Sequence, residues 1–312
     1  MDLTAILVSY NTERLLPEAL GRLLEARSRL AVKVAVVDNA SRDNSVELLR
    51  RSFPSCALIE NHANVGFGRA NNQALPLVEG RYVLLLNTDA FVAEDTLEKT
   101  VAYMDSHPRC GILGVRLVGR DGRLQPCARH FPTPWNLFVA RTGLNRLLAG
   151  TRLVDDLSWD HASVRACDWV PGCYYLVRKE VIDQIGLFDP RYFLYYEEVD
   201  HCFAAKRAGW EVVFFPGTSV LHLGGESAKS DGELTPGGRQ VEAFQIESEL
   251  LYFRKNHGLA AVCGHVVLTV LGDGILALKR LLRGRGPRGQ GRHAAAVWSS
   301  FVRTRWAARA TR

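Results

Sequence analysis

Short apolar runs alternate with amphipathic stretches over the first hundred residues of the chain. The runs "LTAILVS" (3–9), "VKVAVVD" (32–38) and "RYVLLL" (81–86) contain few polar residues, as expected for strands that are buried on both faces. The stretches "ERLLPEALGRLLEAR" and "FGRANNQALPLV" have helical spacing, and Pro17 falls where a first helical turn tolerates it. Strands that alternate with helices predict right-handed βαβ units and a parallel sheet.

The pattern changes after residue 118. Turn-forming residues are frequent between 119 and 165, and we expect an insertion or a lid there. The polar segment "ESAKSDGELTPGG" (226–238) predicts a flexible loop by its composition. A helical pattern, "RQVEAFQIESELLYFRKNHG", follows this loop and leads into an apolar tail.

Polar clusters follow three of the predicted strands: Ser9-Tyr10-Asn11, Asp38-Asn39-Ala40-Ser41 and Asn87-Thr88-Asp89. Each cluster alone is typical of a helix cap or a turn. In a doubly wound sheet the carboxyl ends of the strands share one edge, so we expect the clusters to converge on a crevice. The segment "NVGFGRANN" (64–72) adds glycines, which let the backbone approach a ligand, and side chains that can donate to a base or phosphate.

Composition narrows the class of protein. A chain of 312 residues, 47% of them hydrophobic, can bury a substantial core. Its net charge of +6 is concentrated after residue 273, where there are ten Lys or Arg and no Asp or Glu. Seven scattered cysteines without a C-x-x-C motif argue against a zinc site or a disulfide framework and fit a reducing cytoplasm. Residues 1–9 lack the pattern of a signal peptide.

The order of the motifs resembles that of the family 2 inverting glycosyltransferases, especially the rhamnosyltransferase-like branch that builds bacterial surface polysaccharides. The motifs are "LVSYN", "VVDNASRDNS", "NVGFGRANN", "LLLNTD", "WVPGCYYLVRKEV", "GLFDPRYFLYYEEVD" and "VLHLGGES". The resemblance covers roughly residues 1–257 and implies an α/β GT-A fold. It divides this domain into a Rossmann-like nucleotide-sugar-binding half, 1–118, and an acceptor-binding half, 119–257. Residues 258–312 would form an apolar and basic C-terminal tail.

The resemblance also implies a donor site. Asp38 would hydrogen-bond the nucleobase, and Asn87-Thr88-Asp89 would replace the D-x-D motif of the family, with Asn87 accepting from a ribose hydroxyl. Asp89 would then be the main carboxylate for Mn²⁺ or Mg²⁺, because these hard cations prefer carboxylate and phosphate oxygens. His222 matches the position of a second metal ligand, although a polar residue that merely ends a strand is the alternative. The donor-binding set is Ser9, Asn11, Asp38, Asn64, Gly66, Arg69, Asn72, Asn87 and Thr88.

Three carboxylates within "YYEEVDHCFAAKRAG" include the candidate catalytic residue. Acidic residues also stabilise the first turn of a helix, so their presence alone does not indicate catalysis. Inverting transfer needs one general base for the hydroxyl of the acceptor. The family usually has Glu-Asp at this position, with the second residue as base, which makes Glu198 the candidate and places Glu197 beside the acceptor. Trp169 could stack on a sugar, or be a core residue, and Gly172 would leave room for the acceptor.

The tail combines a long apolar run, interrupted by His265 and Asp273, with a basic cluster. An Asp near the centre is costly in a spanning helix. We therefore expect a helix that lies on an anionic membrane surface, with a helical hairpin packed on the body as the alternative. No nucleic-acid motif accompanies the arginines, and we expect no nucleic-acid partner. The expected location is peripheral, at the cytoplasmic face of the bacterial inner membrane.

The sequence therefore predicts a metal-dependent inverting glycosyltransferase. Its donor would be a nucleotide sugar, dTDP-rhamnose or a UDP-sugar, and its acceptor a lipid-linked sugar or a polysaccharide. A sugar nucleotidyltransferase would need a Gly-rich basic loop after the first strand, where this chain has "SYNTERLL". A dehydrogenase would need the motif G-x-G-x-x-G after a strand, and no predicted strand of this chain is followed by that motif. A non-catalytic nucleotide-sugar-binding subunit of a membrane assembly complex is the alternative from another class.

Overall fold

The structure is a computed structural model, and it describes residues 1–27, 29–148, 150–155, 159–224, 239–284 and 291–312. The segment 226–238, which the sequence predicts to be a flexible loop, lies outside the described residues. All seven cysteines lie within them and are free thiols.

A single mixed sheet forms the centre of the molecule. Its nine strands, within the described ranges, are β1 Leu3–Ser9, β2 Val32–Asp38, β3 Ala57–Glu60, β4 Tyr82–Leu86, β5 Ala90–Val92, β6 Cys110–Val118, β7 Arg165–Ala166, β8 Tyr174–Arg178 and β9 Glu211–His222. They are ordered β3-β2-β1-β4-β8-β6-β9-β5, with β7 paired to β9. The buried apolar residues of this sheet and of its flanking helices form one continuous core.

The sheet is mixed, so the prediction of a parallel sheet holds for β1 to β4, and β6 and β9 form one further parallel pair. Strands β3, β2, β1 and β4 are parallel, whereas β8 is antiparallel to both of its neighbours. Strand β6 is parallel to β9, and β5 and β7 are antiparallel to β9. The apolar pattern of a strand buried on both faces is the same in either direction, which is why the sequence did not reveal the reversal at β8.

Helices flank the sheet and follow the predicted order. They are α1 Leu16–Glu25, α2 Ser45–Ser52, α3 Phe67–Gln73, α4 Thr96–Ser106, α5 Pro134–Thr142, α6 Lys179–Ile185, α7 Glu197–Arg207, α8 Arg239–Leu281 and α9 Arg292–Arg303. Pro17 lies in the first turn of α1, as predicted. Helix α8 is interrupted at Gly258, where φ is 81°, so it consists of two helical halves.

Among the described residues of the predicted insertion at 119–165, the regular elements are α5, the 3₁₀ turn Leu144–Arg146 and the first residue of β7. Helix α5 begins with a reciprocal capping box, in which the Thr133 side chain accepts from the backbone of Asn136 and the Asn136 side chain accepts from the backbone of Thr133. Because such a box satisfies two backbone donors that a helix start would leave unpaired, it explains why a helix begins at this position. Helix α5 packs against α8 and so connects the insertion to the C-terminal helices.

Candidate functional site

The polar ends of the first strands lie at one edge of the sheet, as predicted. Ser9 is the register partner of Asp38 in the parallel pair of β1 and β2, and β4 ends at Leu86 on the other side of β1. A crevice of about 300 Å³ opens at this edge. The predicted site residues that line it are Asn64, Gly66, Asn87, Thr88, Asp89, Gly172, Glu197, Glu198 and His222.

One wall of the crevice is the turn before α3. The Asn64 side-chain oxygen accepts from the backbone of Gly66 and from the amide of Asn39, and the Asn39 oxygen accepts from the backbone of Val65. Gly66 has φ of 90°, and a Cβ at this position would lie 2.5 Å from the carbonyl oxygen of Phe193. Glycine is therefore required both by the backbone conformation and by the close approach of the opposite loop.

Three predicted donor-binding residues, Ser9, Asn11 and Asp38, do not line the crevice. Asp38 is buried and accepts from both the backbone N–H and the hydroxyl of Ser41, whose oxygen in turn accepts from the backbone of Asn11. Ser9 is fully buried beside Asp38. These contacts hold the ends of β1 and β2 together. A direct bond from Asp38 to a nucleobase stays a prediction, and it would compete with the bond from the Ser41 hydroxyl.

Two further predicted donor-binding residues, Arg69 and Asn72, point away from the crevice. The Arg69 guanidinium donates to the carbonyl oxygens of Pro190 and Arg312, at 2.7 Å each. The Asn72 side chain both donates to and accepts from the backbone of Phe188, at 2.7 and 3.1 Å. Both side chains thus fix the loop before α7, and the structure does not bring them to the place where a donor would lie.

Trp169 is a core residue in the structure, which is the alternative that the sequence left open. Its indole N–H donates to the carbonyl oxygen of His130 at 2.9 Å, and the Arg129 guanidinium lies over its ring at 4.6 Å. Only 5% of the residue is exposed, so it offers no face on which a sugar could stack. Gly172, in contrast, lines the crevice next to Glu198, whose Cβ would lie 3.8 Å from a Cβ at position 172.

The two glutamates occupy the first turn of α7, after a strained turn. Tyr195 and Tyr196 both have φ of 68°, a left-handed conformation that costs a residue with a side chain about 1–3 kcal/mol when it is imposed by its surroundings. The Oε2 atoms of Glu197 and Glu198 are buried and have no hydrogen-bond partner among the described residues. Carboxylate oxygens that lack a hydrogen-bond partner in a crevice are suited to accept a proton, or a hydrogen bond from a hydroxyl, of a ligand.

Burial raises the pKa of both carboxyl groups at the start of α7. Burial raises the pKa of Glu198, and the Arg129 guanidinium partly opposes this by favouring the ionised form. Burial also raises the pKa of Glu197, well above its usual range, and the neighbouring charge of Glu198 raises it further. Two adjacent buried carboxyl groups resist ionising together, so burial favours the protonated form of each and their titrations are linked.

Asp89 and His222 form the second polar centre of the crevice. Asp89 precedes β5 and His222 ends β9, and the pairing of these strands brings the Nε2 atom of His222 to 3.6 Å from Asp89 Oδ1. The other ring nitrogen, Nδ1, is 2.7 Å from the Oε1 atom of Gln125. Gln125 Nε2 donates to the backbone carbonyl oxygen of His222 at 2.9 Å, which fixes the orientation of the amide. The imidazole therefore donates through Nδ1.

This orientation determines what the pair can bind. With its proton on Nδ1, His222 presents the lone pair of Nε2 towards the Asp89 carboxylate. Burial lowers the pKa of His222 and so favours the neutral imidazole, although the Asp89 charge opposes this. Two electron-pair donors that face each other across a short gap fit a divalent cation. The described residues contain no group of three or more His, Cys, Asp or Glu that could hold a metal, so phosphate or water would have to complete the coordination.

Comparison with known proteins supports the predicted family. Residues 4–155 match the family model "Glycosyl transferase family 2". A curated relative from Mycobacterium tuberculosis, N-acetylglucosaminyl-diphospho-decaprenol L-rhamnosyltransferase, is 28% identical over 249 residues, which cover 73% of this chain and 78% of the relative.

Solved structures of low sequence identity share the fold. The mannosyltransferase PcManGT from Pyrobaculum calidifontis superposes with a TM-score of 0.57 and 18% identity, over 97% of this chain and 87% of that one. Residues 1–349 of TarS from S. aureus superpose with a TM-score of 0.53 and 16% identity, over 98% of this chain and 91% of that one. The predicted α/β fold of the GT-A type is thereby confirmed.

Several crevice residues had not been assigned a role from the sequence. Asn39 organises the turn at 64–66, and Phe193 and Tyr195 line the side opposite it. Gln125 lies in the irregular insertion, where no periodic pattern or motif distinguishes it. Gln125 contacts His222 at the end of β9, which is 97 positions away in the sequence. Such a tertiary contact leaves no local signal in the sequence.

Proposed function

Because the chain belongs to glycosyltransferase family 2, we propose that it transfers a sugar from a nucleotide-sugar donor to an acceptor hydroxyl with inversion at the anomeric carbon. The observation that carries this proposal is one crevice that contains both a pair suited to a cation, Asp89 and His222, and a buried carboxyl with a raised pKa, Glu198. A general base activates the acceptor hydroxyl in a single displacement, and a bound cation stabilises the leaving diphosphate.

The donor side of the proposal uses the turn at 64–66 and the end of β4. The Asn87 Oδ1 atom is buried without a hydrogen-bond partner in the described part of the chain, so it can accept from a hydroxyl of the donor. Asp89 and His222 would hold Mn²⁺ or Mg²⁺, and the imidazole favours Mn²⁺. When bound, the cation would supply positive charge that stabilises the diphosphate as it leaves.

The acceptor side of the proposal uses the Glu198 carboxylate. As the acceptor oxygen forms its bond to the anomeric carbon, the bond between that carbon and the diphosphate breaks, and Glu198 takes the proton of the hydroxyl. A base with a raised pKa is suited to this step near neutral pH. Gly172 leaves the space beside Glu198 open for the acceptor.

The names of the relatives supply the candidate substrates for this chain. The M. tuberculosis relative is named as an L-rhamnosyltransferase that acts on N-acetylglucosaminyl-diphospho-decaprenol. The PcManGT structure contains GDP-Man and Mn²⁺, and TarS structures contain UDP or UDP-GlcNAc. We propose dTDP-rhamnose as the first donor to test and UDP-sugars as the second. The proposed acceptor is a lipid-linked sugar of cell-surface glycan synthesis at the cytoplasmic face of the membrane.

The test is release of nucleoside diphosphate from a panel of nucleotide sugars, with a short-chain prenyl-diphosphate sugar as acceptor and with or without Mn²⁺. We expect release that needs both acceptor and metal, and a product of inverted anomeric configuration by NMR. Asp89→Ala should abolish metal-dependent donor binding without unfolding the protein. Metal-dependent donor binding without any transfer would instead support a non-catalytic binding subunit, and a product of retained configuration would refute the mechanism.

A further inference from the structure

The second half of α8 has one face that is exposed and entirely free of polar side chains. The exposed residues between Gly258 and Leu282, the residue that directly follows α8, recur every three or four positions and therefore form one stripe, about 120° wide for a helix that turns 100° per residue. They are Ala260, Cys263, Val267, Val270, Leu271, Gly274, Leu278, Leu281 and Leu282. We call these nine residues the apolar stripe. Its valines and leucines are between 53% and 79% exposed, whereas the exposed face of a helix in water is normally polar.

The opposite face of the same helix contacts protein through polar groups. Asp273 is buried, pairs with Arg141 of α5, and accepts from the backbone of Ala294 in α9. Lys279 donates to the carbonyl oxygen of Thr142 at 2.6 Å. The helix is long and apolar enough to cross a membrane by length and composition alone. However, α5 and α9 cover its polar side, and a spanning orientation would have to place these contacts in hydrocarbon.

The two covering helices also expose aromatic residues. Trp298 and Val302 are four residues apart on α9 and are both more than half exposed, and Trp306 follows them. Trp135, in the first turn of α5, is also exposed. Tryptophan is enriched where a protein meets the interface between lipid headgroups and acyl chains, because its ring is apolar and its N–H is polar.

We propose that the apolar stripe lies in the plane of an anionic membrane surface, with α5 and α9 beside it. The positive charge of the C-terminal segment favours lipid, not a second copy of the chain, as the partner of the apolar stripe. From residue 274 onward the sequence has ten Lys or Arg and no acidic residue, so two copies of this segment would repel each other, whereas anionic headgroups would neutralise its charge. Exposed apolar area together with basic charge supplies the two signals that stable peripheral binding requires. The inference rests on the proposed function only for the role of a lipid-linked acceptor.

The experiment compares one charge placed on the stripe with the same charge placed elsewhere. Leu278→Glu changes an exposed residue of the apolar stripe, and Val164→Glu changes an exposed residue next to β7. We expect full-length protein to sediment with vesicles of phosphatidylglycerol and phosphatidylcholine, and Leu278→Glu to bind them at least about tenfold more weakly. Val164→Glu should bind as the unchanged protein does. Equal binding by both variants would overturn the proposal.

A label on Cys263 measures the depth of the stripe. Because this thiol is exposed and belongs to the stripe, an environment-sensitive dye attached to it should shift to the blue on anionic vesicles and return in high salt. Binding that resists both high salt and carbonate would mean that the helix spans the bilayer, which contradicts the in-plane orientation. Self-association without vesicles that Leu278→Glu abolishes would assign the stripe to a dimer. Transfer to a soluble short-chain acceptor should be equal in both variants, so failure of the proposed function is detected separately.

Discussion

Replacement of Gln125 by leucine tests whether the tautomer of His222 is set by its neighbour. The change removes the acceptor that lies 2.7 Å from His222 Nδ1 and the donor to the His222 carbonyl oxygen, while it preserves much of the side-chain volume. Without this acceptor the imidazole can carry its proton on Nε2 instead. That N–H would then point at Asp89 Oδ1, now 3.6 Å away, and would occupy the position proposed for the cation.

The expected magnitude follows from the two bonds. Loss of the partner that orients a metal-ligating histidine typically weakens metal binding by about 10–100-fold, which is about 1.4–2.7 kcal/mol. Loss of the backbone bond should cost about 0.5–1.5 kcal/mol of folding free energy. We therefore expect the Kd for Mn²⁺ to rise by one to two orders of magnitude in a protein that remains folded. The effect on metal binding should exceed the effect on stability.

The assay is titration of free Mn²⁺ by electron paramagnetic resonance in the presence of nucleoside diphosphate. Gln125→Glu is the matched variant, because its carboxylate still accepts from Nδ1 but cannot donate to the His222 carbonyl oxygen. Gln125→Glu should retain most of the affinity, and Asp89→Ala should lose it. Unchanged Mn²⁺ affinity in Gln125→Leu would refute the role of the tautomer. Equal losses in the Leu and Glu variants would show that only the backbone bond matters.

Three further outcomes are expected. Glu198→Gln should lower kcat by about 10²–10⁴-fold with donor affinity unchanged, as measured by single-turnover transfer and by titration of the donor. Loss of transfer in Glu197→Gln together with full transfer in Glu198→Gln would identify Glu197 as the base. Transfer should increase with pH as Glu198 loses its proton, because burial raises the pKa of this group, so Glu197→Gln should keep this limb; a limb that vanishes in Glu197→Gln would assign it to Glu197. Lys255→Met should cost about 2–4 kcal/mol in urea denaturation because it leaves the buried Asp200 carboxylate with less compensation, whereas Lys99→Met, in an exposed pair, should cost no more than about 0.5 kcal/mol.

The elements and the edge of the sheet could be predicted because local patterns determine them. Apolar runs of strand length specify β1, β2 and β4, and the polar residues that follow them converge because parallel strands share an edge. The direction of β8 could not be predicted, since its apolar run contains no information about its neighbours. The antiparallel pairing of β8 with β4 is fixed by tertiary contacts across the sheet.

The site was predictable where the motif itself sets the geometry. Asp89 precedes β5 and His222 ends β9, so the pairing of these two strands sets their positions. The position of Glu198 is set by the start of α7. Arg69 and Asn72 were different, because side chains of a seven-residue helix can point to the crevice or away from it, depending on how the helix docks. Both side chains bind backbone groups of residues 188–190, far away in sequence, and local composition could not reveal that preference.

Helix α8 connects the proposed membrane surface to the candidate active site. Its first half holds the strained turn before Glu197: the Ser248 hydroxyl donates to the carbonyl oxygen of Leu194, and the Tyr196 hydroxyl donates to Glu249.

On the far side of Gly258, His265 approaches the same Glu249 carboxylate at 2.8 Å, so the two halves share a polar contact across the break. If the second half of α8 lies on a membrane as proposed, the contacts of its first half with the turn before Glu197 fix the orientation of the crevice relative to the lipid plane. An acceptor that diffuses in that plane would then meet Glu198 by a two-dimensional search. Changes in the apolar stripe should consequently affect transfer to membrane-bound acceptors and leave the chemistry of the crevice unaltered.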